Sequence, residues 1–438
     1  MKNPFKAFLD IKREELPLAL LMFSYFFLVI TVFWILKPIK KTMFLAYYDG
    51  GKLDVFGWLL KGSQAELLAK VCNMGVAFLA VIAFTMLARQ LRRQQLTFAF
   101  SGFCAVCFLA FLGFATGGGG VAVWSFYLFG DLFNTLMVAT FFAFLNDSFA
   151  PGSAKRNYGV IVLGGVSGGA FGSMVVKAKI KDLSINEWLW LCIGATALIV
   201  LVAWLAGRLV AANPPPEKKA VAPADIEKKG NAALDGARLV AKSRYLMSIV
   251  VMVAIYEIIS TILDFQFTAA VEHYTSGAAR GEHFATVFAV TNVFALIFQL
   301  LFTGFVLKRF GVGVALLIMP VAILGASAGF LIVPILLVGS SLNTVDNGLN
   351  YSINQSAREA LYTPTTRDEK YKAKAFIDMF VQRTAKAVAV VVALGITTVF
   401  TSYSSTRILS VFVLLLGVGW LYAARYAGQR FKELEQDD

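Results

Sequence analysis

The chain has 438 residues, of which 58% are hydrophobic and 15% are charged, and its mean hydropathy is +0.70. This composition excludes an ordinary soluble enzyme and predicts a polytopic membrane protein, because the apolar residues fall in blocks of ~20, the length that crosses a bilayer core. The net charge of +13 requires no nucleic-acid partner, since basic loops that face anionic lipid headgroups account for it.

The apolar blocks predict twelve transmembrane helices, numbered spans 1 to 12 in chain order. An even number places both termini on one side. The loops of that side carry 27 of the 40 Lys and Arg residues, against 10 in the opposite loops, so we expect a multi-pass protein of the cell (bacterial inner) membrane with cytoplasmic termini and no cleavable signal. The predicted spans are 17–36, 67–88, 97–115, 121–146, 159–177, 186–211, 246–267, 284–307, 313–332, 334–354, 375–400 and 407–425.

A polar segment divides the spans into two sets of six. Residues 213–244 are rich in Pro, Ala and charge, which predicts a cytoplasmic linker between an N-terminal half, 1–212, and a C-terminal half, 245–438. "FTMLARQLRR" from Phe84 is similar to "FTGFVLKRFG" from Phe302, and "APGSAKRNY" parallels "TPTTRDEKY" at nearly the same offset. Parallel six-helix repeats predict an all-α, major facilitator-like fold, with substrate bound near the midplane between the halves.

In the N-terminal half, spans 1 and 4 carry polar residues. Span 1 ends in Lys37-Pro38-Ile39-Lys40-Lys41, and Asp131 and Asn134 lie near the middle of span 4. Polar side chains inside a bilayer cost free energy, so these residues are expected to face protein or an aqueous cavity. The sequence allows Asp131 either to balance a lysine of span 1 or to couple transport to protons.

Span 5 contains a glycine stripe. Gly164, Gly168 and Gly172 recur at four-residue spacing, which predicts close helix packing. The stripe is not a phosphate loop, because no Gly-Lys-Ser/Thr follows it.

In the C-terminal half, spans 7 and 10 each carry a polar stripe at helical spacing. Together with spans 1 and 4 they are the first and fourth spans of each half, the set expected to face the central cavity of a major facilitator fold. The stripe of span 7 is Glu257, Ser260, Thr261 and Asp264, and that of span 10 is Asn343, Asp346, Asn347, Asn350 and Asn354, continued by Arg358.

Span 11 adds two cations about ten residues inside an apolar block. Arg383 and Lys386 follow Asp378, and snorkelling from a helix end does not explain them. One interpretation is a polyanion site, since guanidinium and ammonium groups bind phosphates by charge-assisted hydrogen bonds. The alternative is internal ion pairing with Asp378 or Asp346. As for Asp131, the sequence allows Asp264 either to balance a cation, here one of span 11, or to couple transport to protons.

The segment between spans 10 and 11 resembles a known family. "REALYTPTTRDEKYKAKAFID", followed by "FVQRTAKA", is similar to the corresponding segment of the ATP/ADP translocases of plastids and obligate intracellular bacteria. The resemblance continues in "WILKPIKKTMFL", "GDLFNTLMVATFFAFLND" and "YEIISTILDF". It implies functional charges at Lys40, Asp131 and Asp264.

The chain departs from the family pattern at several positions but keeps the charge signs. Asp replaces Glu at 131 and 264, Arg replaces Lys at 358, and Ala385 stands where Gly is usual. The resembled family includes exchangers and proton-coupled importers, so both modes remain open.

The sequence therefore predicts a transporter of nucleotides or related phosphorylated anions that works by alternating access in the lipid bilayer, as a monomer and without a cofactor. Alternatives are a carrier for another organic anion and a non-transporting membrane sensor or scaffold. An enzyme is not expected, because no metal cluster, nucleophile triad or nucleotide-hydrolysis motif stands in the sequence. The predicted substrate-binding residues are Lys40, Asp131, Asn134, Asp264, Asn347, Arg358, Arg383 and Lys386.

Overall fold

The structure is a computed structural model that describes residues 12–49, 51, 53–55, 57–114, 119–149, 151–212, 232–366 and 369–437. Every predicted span forms a helical segment, so the all-α membrane architecture is confirmed. Spans 1 to 7 are the α-helices Leu16–Tyr47, Gly62–Gln90, Arg93–Phe114, Gly119–Ser148, Pro151–Lys179, Ile185–Ala212 and Arg244–Tyr274.

Spans 8 to 12 are less regular than the first seven. Gly311, with φ +80°, breaks the α-helix that runs from span 8 into span 9, a backbone conformation that glycine adopts at low cost. π-Helical turns interrupt spans 10 and 11, and such turns often accompany functional sites. The segments are Gly277–Ile297, Phe298–Thr303 and Gly304–Ile332 for spans 8 and 9; Leu336–Leu349, Asn350–Asn354 and Gln355–Ala360 for span 10; Glu369–Ala373, Lys374–Phe376, Ile377–Val381 and Gln382–Val399 for span 11; and Tyr403–Arg407 and Ile408–Asp437 for span 12.

Two small elements lie between spans. An antiparallel hairpin, Leu53–Val55 with Trp58–Leu60, precedes span 2. The predicted linker contains a helix, Ala232–Lys242, that the sequence analysis did not identify. Residues 213–231 of that linker lie outside the described residues.

The described residues form two compact units whose boundaries differ from those of the predicted halves. Unit 1 comprises residues within Met1–Gly51, Cys72–Ala220 and Ser276–Asn292, and unit 2 comprises residues within Lys52–Val71, Val221–Thr275 and Val293–Asp438. Unit 2 thus includes the first part of span 2, and unit 1 includes the first part of span 8. The division at 212 and 245 remains a prediction.

The core of unit 1 depends on the glycine stripe of span 5. A Cβ atom on Gly164, Gly168 or Gly172 would lie 2.5, 2.3 or 2.6 Å from a backbone carbonyl oxygen of span 1, belonging to Phe23, Phe27 and Thr31 respectively. Only glycine permits this backbone approach, so the predicted close packing is confirmed. The stripe thus packs span 1, the helix that carries Lys40, closely against span 5.

Gly168→Ala is expected to lower the stability of the protein by about 1–3 kcal/mol, because the new methyl group overlaps the Phe27 carbonyl. The measurement is the thermal unfolding midpoint of purified protein in detergent. Gly194→Ala in span 6 is the matched control, since a Cβ atom there meets nothing within 4 Å. Equal midpoints for the two variants would contradict the packing argument.

In unit 2, the linker helix packs on the start of span 11. A Cβ atom on Gly236 would lie 2.5 Å from the carbonyl oxygen of Lys372 and 2.8 Å from the Cβ atom of Phe376. Val240 of the same helix is buried in the core of the unit. These contacts fix the segment that leads into the cationic part of span 11.

Candidate substrate site

Lys40 is the centre of a charged cluster in unit 1. Its side chain is only 4% exposed, and its Nζ atom lies 2.5 Å from Oδ1 of Asp131. The ammonium also lies 4.4 Å from the ring centroid of Tyr127. Gly130 makes room for this arrangement, since a Cβ atom there would lie 2.8 Å from Cδ of Lys40. The pairing of Asp131 with a lysine of span 1 is therefore confirmed.

Asp131 has a second partner that the sequence analysis missed. The side-chain amide of Asn73, in the part of span 2 that belongs to unit 1, donates a hydrogen bond to Oδ2 of Asp131. The carboxylate thus bonds one cation and one amide while its side chain stays 39% exposed. Asn134 lies three residues further along span 4 and is partly buried.

The other two lysines of span 1 lie near aromatic rings. The Nζ atom of Lys37 is 4.3 Å from the ring centroid of Trp34 and 5.0 Å from that of Phe288. Lys41 is buried, with its Nζ atom 5.8 Å from the ring of Phe284. The negative face of a ring stabilises a cation where water is scarce.

In unit 2, two cations lie against consecutive residues of span 7. Lys386 Nζ is 3.4 Å from Oε2 of Glu257, and the side-chain exposures are 48% for the lysine and 10% for the acid. The guanidinium carbon of Arg358 lies 6.0 Å from the ring centroid of Tyr256. A carboxylate and an aromatic ring of span 7 thus each lie near a basic side chain, one from span 11 and one from span 10.

The partner found for Asp264 is not the span 11 cation that the sequence analysis suggested. Asp264 forms an ion pair with Lys70 of span 2, within unit 2. Asp264 stands seven residues after Glu257, about 10.5 Å further along the helix. Lys386 of span 11 contacts span 7 at the turn of Glu257. At the turn of Asp264, span 2 supplies the cation. The suggested pairing of Lys386 with Asp378 or Asp346 is likewise replaced by its contact with Glu257.

The polar stripe of span 10 forms hydrogen bonds within unit 2. Ser260 of span 7 donates to Oδ2 of Asp346 over 2.7 Å. The side-chain amide of Asn347 donates to the carbonyl and side-chain oxygens of Asn343, at 3.1 and 3.0 Å. The stripe is thus partly engaged with its own helix and with span 7, while Asn347 remains partly buried rather than enclosed.

The segment between spans 10 and 11 is more ordered than a solvated turn. Lys374 Nζ lies 2.6 Å from Oε2 of Glu359 and 5.5 Å from the ring centroid of Tyr362. Tyr362 is buried, and this burial raises the pKa of its phenol, so the hydroxyl stays neutral at physiological pH. Asp378 accepts a hydrogen bond of 3.0 Å from Gln382.

The structure brings together some of the predicted site residues and separates others within each unit. Lys40 meets Asp131 in unit 1, and Arg358 and Lys386 meet one turn of span 7 in unit 2. Arg383 is partly buried on span 11, three residues before Lys386. The residues that the sequence analysis left out are Lys70 and Asn73 of span 2. Lys70 carried a signal, because it is one of three basic residues inside the predicted spans.

Two comparisons with solved structures establish the fold. The chain is similar to a mutant of the nucleoside transporter NupG, with a TM-score of 0.63, 14% identity and coverage of 94% of this chain and 99% of the other. It is also similar to FucP, a major facilitator superfamily transporter, with a TM-score of 0.55, 16% identity and coverage of 95% and 99%. The predicted major facilitator-like fold is confirmed.

Sequence comparisons give the family. A plastidic ATP/ADP-transporter of Solanum tuberosum is 22% identical over 353 residues, which are 72% of this chain and 55% of the relative. The chain thus spans about half the length of that relative. The family model described as TLC ATP/ADP transporter matches residues 120–336 and 331–431, which together are more than half of the chain. By this match, the chain belongs to the TLC ATP/ADP transporter family.

Proposed function

We propose that the chain is a membrane transporter that moves nucleotides of the ATP/ADP type, or closely related phosphorylated anions, by alternating access. Family membership and the name of the plastidic relative support the substrate class. The observation that carries the proposal is the placement of Arg358 and Lys386 against Tyr256 and Glu257 in unit 2. Ammonium and guanidinium groups bind phosphates by charge-assisted hydrogen bonds.

Arg358, Arg383 and Lys386 are the proposed phosphate contacts. The ammonium of Lys386 is half exposed, so an anion can reach it, whereas Glu257 is buried and holds the lysine when no anion is bound. Phosphate and carboxylate oxygens compete for the same donor in charge-assisted hydrogen bonds. Because the carboxylate offsets part of the phosphate affinity, the substrate is released again, as a carrier requires. Asn347, in the polar stripe of span 10, is proposed as a further polar contact with the substrate.

Lys40, Asp131 and Asn134 are proposed as substrate contacts in unit 1. Lys40 is buried with Asp131 as its counter-ion, while the carboxylate remains partly exposed. A proton or a phosphate that reaches Asp131 changes the charge balance of Lys40. This gives a physical basis for either exchange or proton coupling, and Asp264, paired with Lys70 in unit 2, is proposed to act in the same way.

The proposal is tested with purified protein in proteoliposomes. Radiolabelled ATP and ADP are offered under exchange, proton-gradient and uniport conditions, and uptake is compared with that of empty liposomes. We expect the labelled nucleotide to accumulate. Unlabelled ATP should abolish this accumulation, whereas unlabelled sugar phosphates or carboxylates should not. No accumulation of either nucleotide under any of the three conditions would overturn the proposal, and competition by another anion alone would favour a carrier for that anion.

We further propose that the protein acts in the cell (bacterial inner) membrane as a monomer with both termini in the cytoplasm, and that it catalyses no chemical conversion. The excess of Lys and Arg in the loops on the side of the termini supports the orientation. Attachment of a membrane-impermeant thiol reagent to cysteines introduced in the terminal segments and in the opposite loops distinguishes the two orientations.

A further inference from the structure

The first part of span 2 is an integral element of unit 2. Leu67 is fully buried in the core of that unit. The side-chain amide of Gln64 donates a hydrogen bond of 3.0 Å to the hydroxyl of Thr397, and the backbone N–H of Ser63 donates one of 3.2 Å to Glu272. These contacts fix the start of span 2 against spans 7 and 11. Lys70, at the end of this segment, is therefore held in a defined place.

In this position Lys70 forms an ion pair with Asp264. The two side chains are only 24% and 21% exposed, so neither is solvated as a surface charge would be. Intramembrane Lys and Asp residues are costly and are associated with substrate or ion pathways. The pair lies on the same stripe of span 7 as Glu257 with Lys386, two helical turns away. Span 7 thus holds two cations with two carboxylates, and each cation comes from a different helix.

We propose that Lys70 is a further phosphate-contacting cation and that it makes the site respond to the number of phosphates on the substrate. This inference rests on the proposed function. A single phosphate at Arg358 and Lys386 occupies the level of Glu257. A longer phosphate chain extends along the stripe toward Asp264, where its terminal oxygens compete with the carboxylate for the ammonium of Lys70. Lys70 therefore distinguishes triphosphate from monophosphate substrates.

A purely structural ion pair makes a different prediction. If Lys70 and Asp264 only stabilise unit 2, removal of either leaves an unpaired charge, and removal of both restores the wild-type protein. If Lys70 contacts the substrate, removal of both restores stability but not binding. The affinity of the double variant for nucleotide therefore distinguishes a structural ion pair from a substrate contact.

The experiment measures binding of ATP, ADP and AMP to purified Asp264→Asn and Lys70→Met/Asp264→Asn proteins by competition against labelled ATP. Asp264→Asn is expected to bind ATP at least as tightly as the wild type, because the competing carboxylate is gone. The double variant is expected to bind ATP about 10- to 100-fold more weakly than Asp264→Asn, the loss of one charge-assisted contact. The AMP affinities of the double variant and Asp264→Asn are expected to differ far less. Lys179→Met, which removes a cation from an exposed pair with Asp182, is the matched control and leaves all three affinities unchanged.

Three results would overturn the inference: equal ATP affinities of Asp264→Asn and the double variant, equal losses for ATP and AMP, or the same losses in the Lys179 control. If Asp264→Asn does not fold, Lys70→Arg replaces it, since arginine keeps the ion pair but presents a forked donor. An unchanged ratio of ATP to AMP affinity in Lys70→Arg then overturns the inference. A wild-type protein that binds no nucleotide instead overturns the proposed function, which distinguishes the two failures.

Discussion

Lys386→Gln is expected to lower the rate of nucleotide uptake in proteoliposomes about 10- to 100-fold, the value of a lost charge-assisted contact to a phosphate. The lysine is the more exposed partner of its ion pair with Glu257, so it is the one that an incoming anion reaches. Its removal also leaves a buried carboxylate without its cation. Loss of uptake by this variant alone therefore has two explanations.

The double variant Lys386→Gln/Glu257→Gln separates them. Both charges are then gone, so the thermal unfolding midpoint is expected to return toward that of the wild type while uptake stays low. Lys432→Gln, at an exposed position of span 12, is the matched control and keeps full uptake. Recovery of uptake in the double variant would contradict a phosphate contact at Lys386 and favour a closed structural ion pair, as in a membrane sensor or scaffold.

Asp131→Asn is expected to abolish uptake and to destabilise the protein by about 3 kcal/mol, because it removes the carboxylate from a buried ammonium. The contacts of Lys40 with Tyr127, the ring at 4.4 Å and the carbonyl oxygen at 3.5 Å, are weaker than an ion pair and do not replace it. The measurements are uptake in proteoliposomes and the thermal unfolding midpoint in detergent. Lys40→Met/Asp131→Asn is expected to regain stability but not uptake.

The same substitution elsewhere in span 4 provides the control. Asp147→Asn removes the carboxylate from an ion pair with Arg93 at 3.3 Å, in which the side chains are 36% and 58% exposed. Exposed pairs of this kind contribute about 0–1 kcal/mol. Asp147→Asn should therefore retain uptake and stability. Equal losses of uptake and stability in Asp131→Asn and Asp147→Asn would show that burial of Lys40 does not determine the destabilisation.

Some contacts within the candidate site were open to prediction from local sequence. The span 5 glycines recur at the helical repeat, and each indeed meets a backbone carbonyl of span 1. Asp131 was matched with a span 1 lysine because each is a costly charge within an apolar block. For Asp264 the same argument offers several cations and no means to choose among them.

The choice at Asp264 depends on which helix lies opposite each turn of span 7. Lys70 pairs with Asp264 because the first part of span 2 packs into unit 2, held there by Leu67 and Gln64. A division of the chain at the linker assigns span 2 to the N-terminal half. No pattern in span 2 itself indicates that its first residues belong to the other compact unit.

The sequence by itself determined that the chain is an all-α membrane protein, where its apolar helical segments lie and which of them carry polar stripes. These follow from hydrophobicity and helical spacing, which are properties of neighbouring residues along one chain segment. Only the tertiary structure decided which cation meets which acid: Lys40 with Asp131, Lys386 with Glu257 and Lys70 with Asp264. The physical reason is that an ion pair requires atoms within a few ångströms, and the packing and rotation of whole helices set that distance.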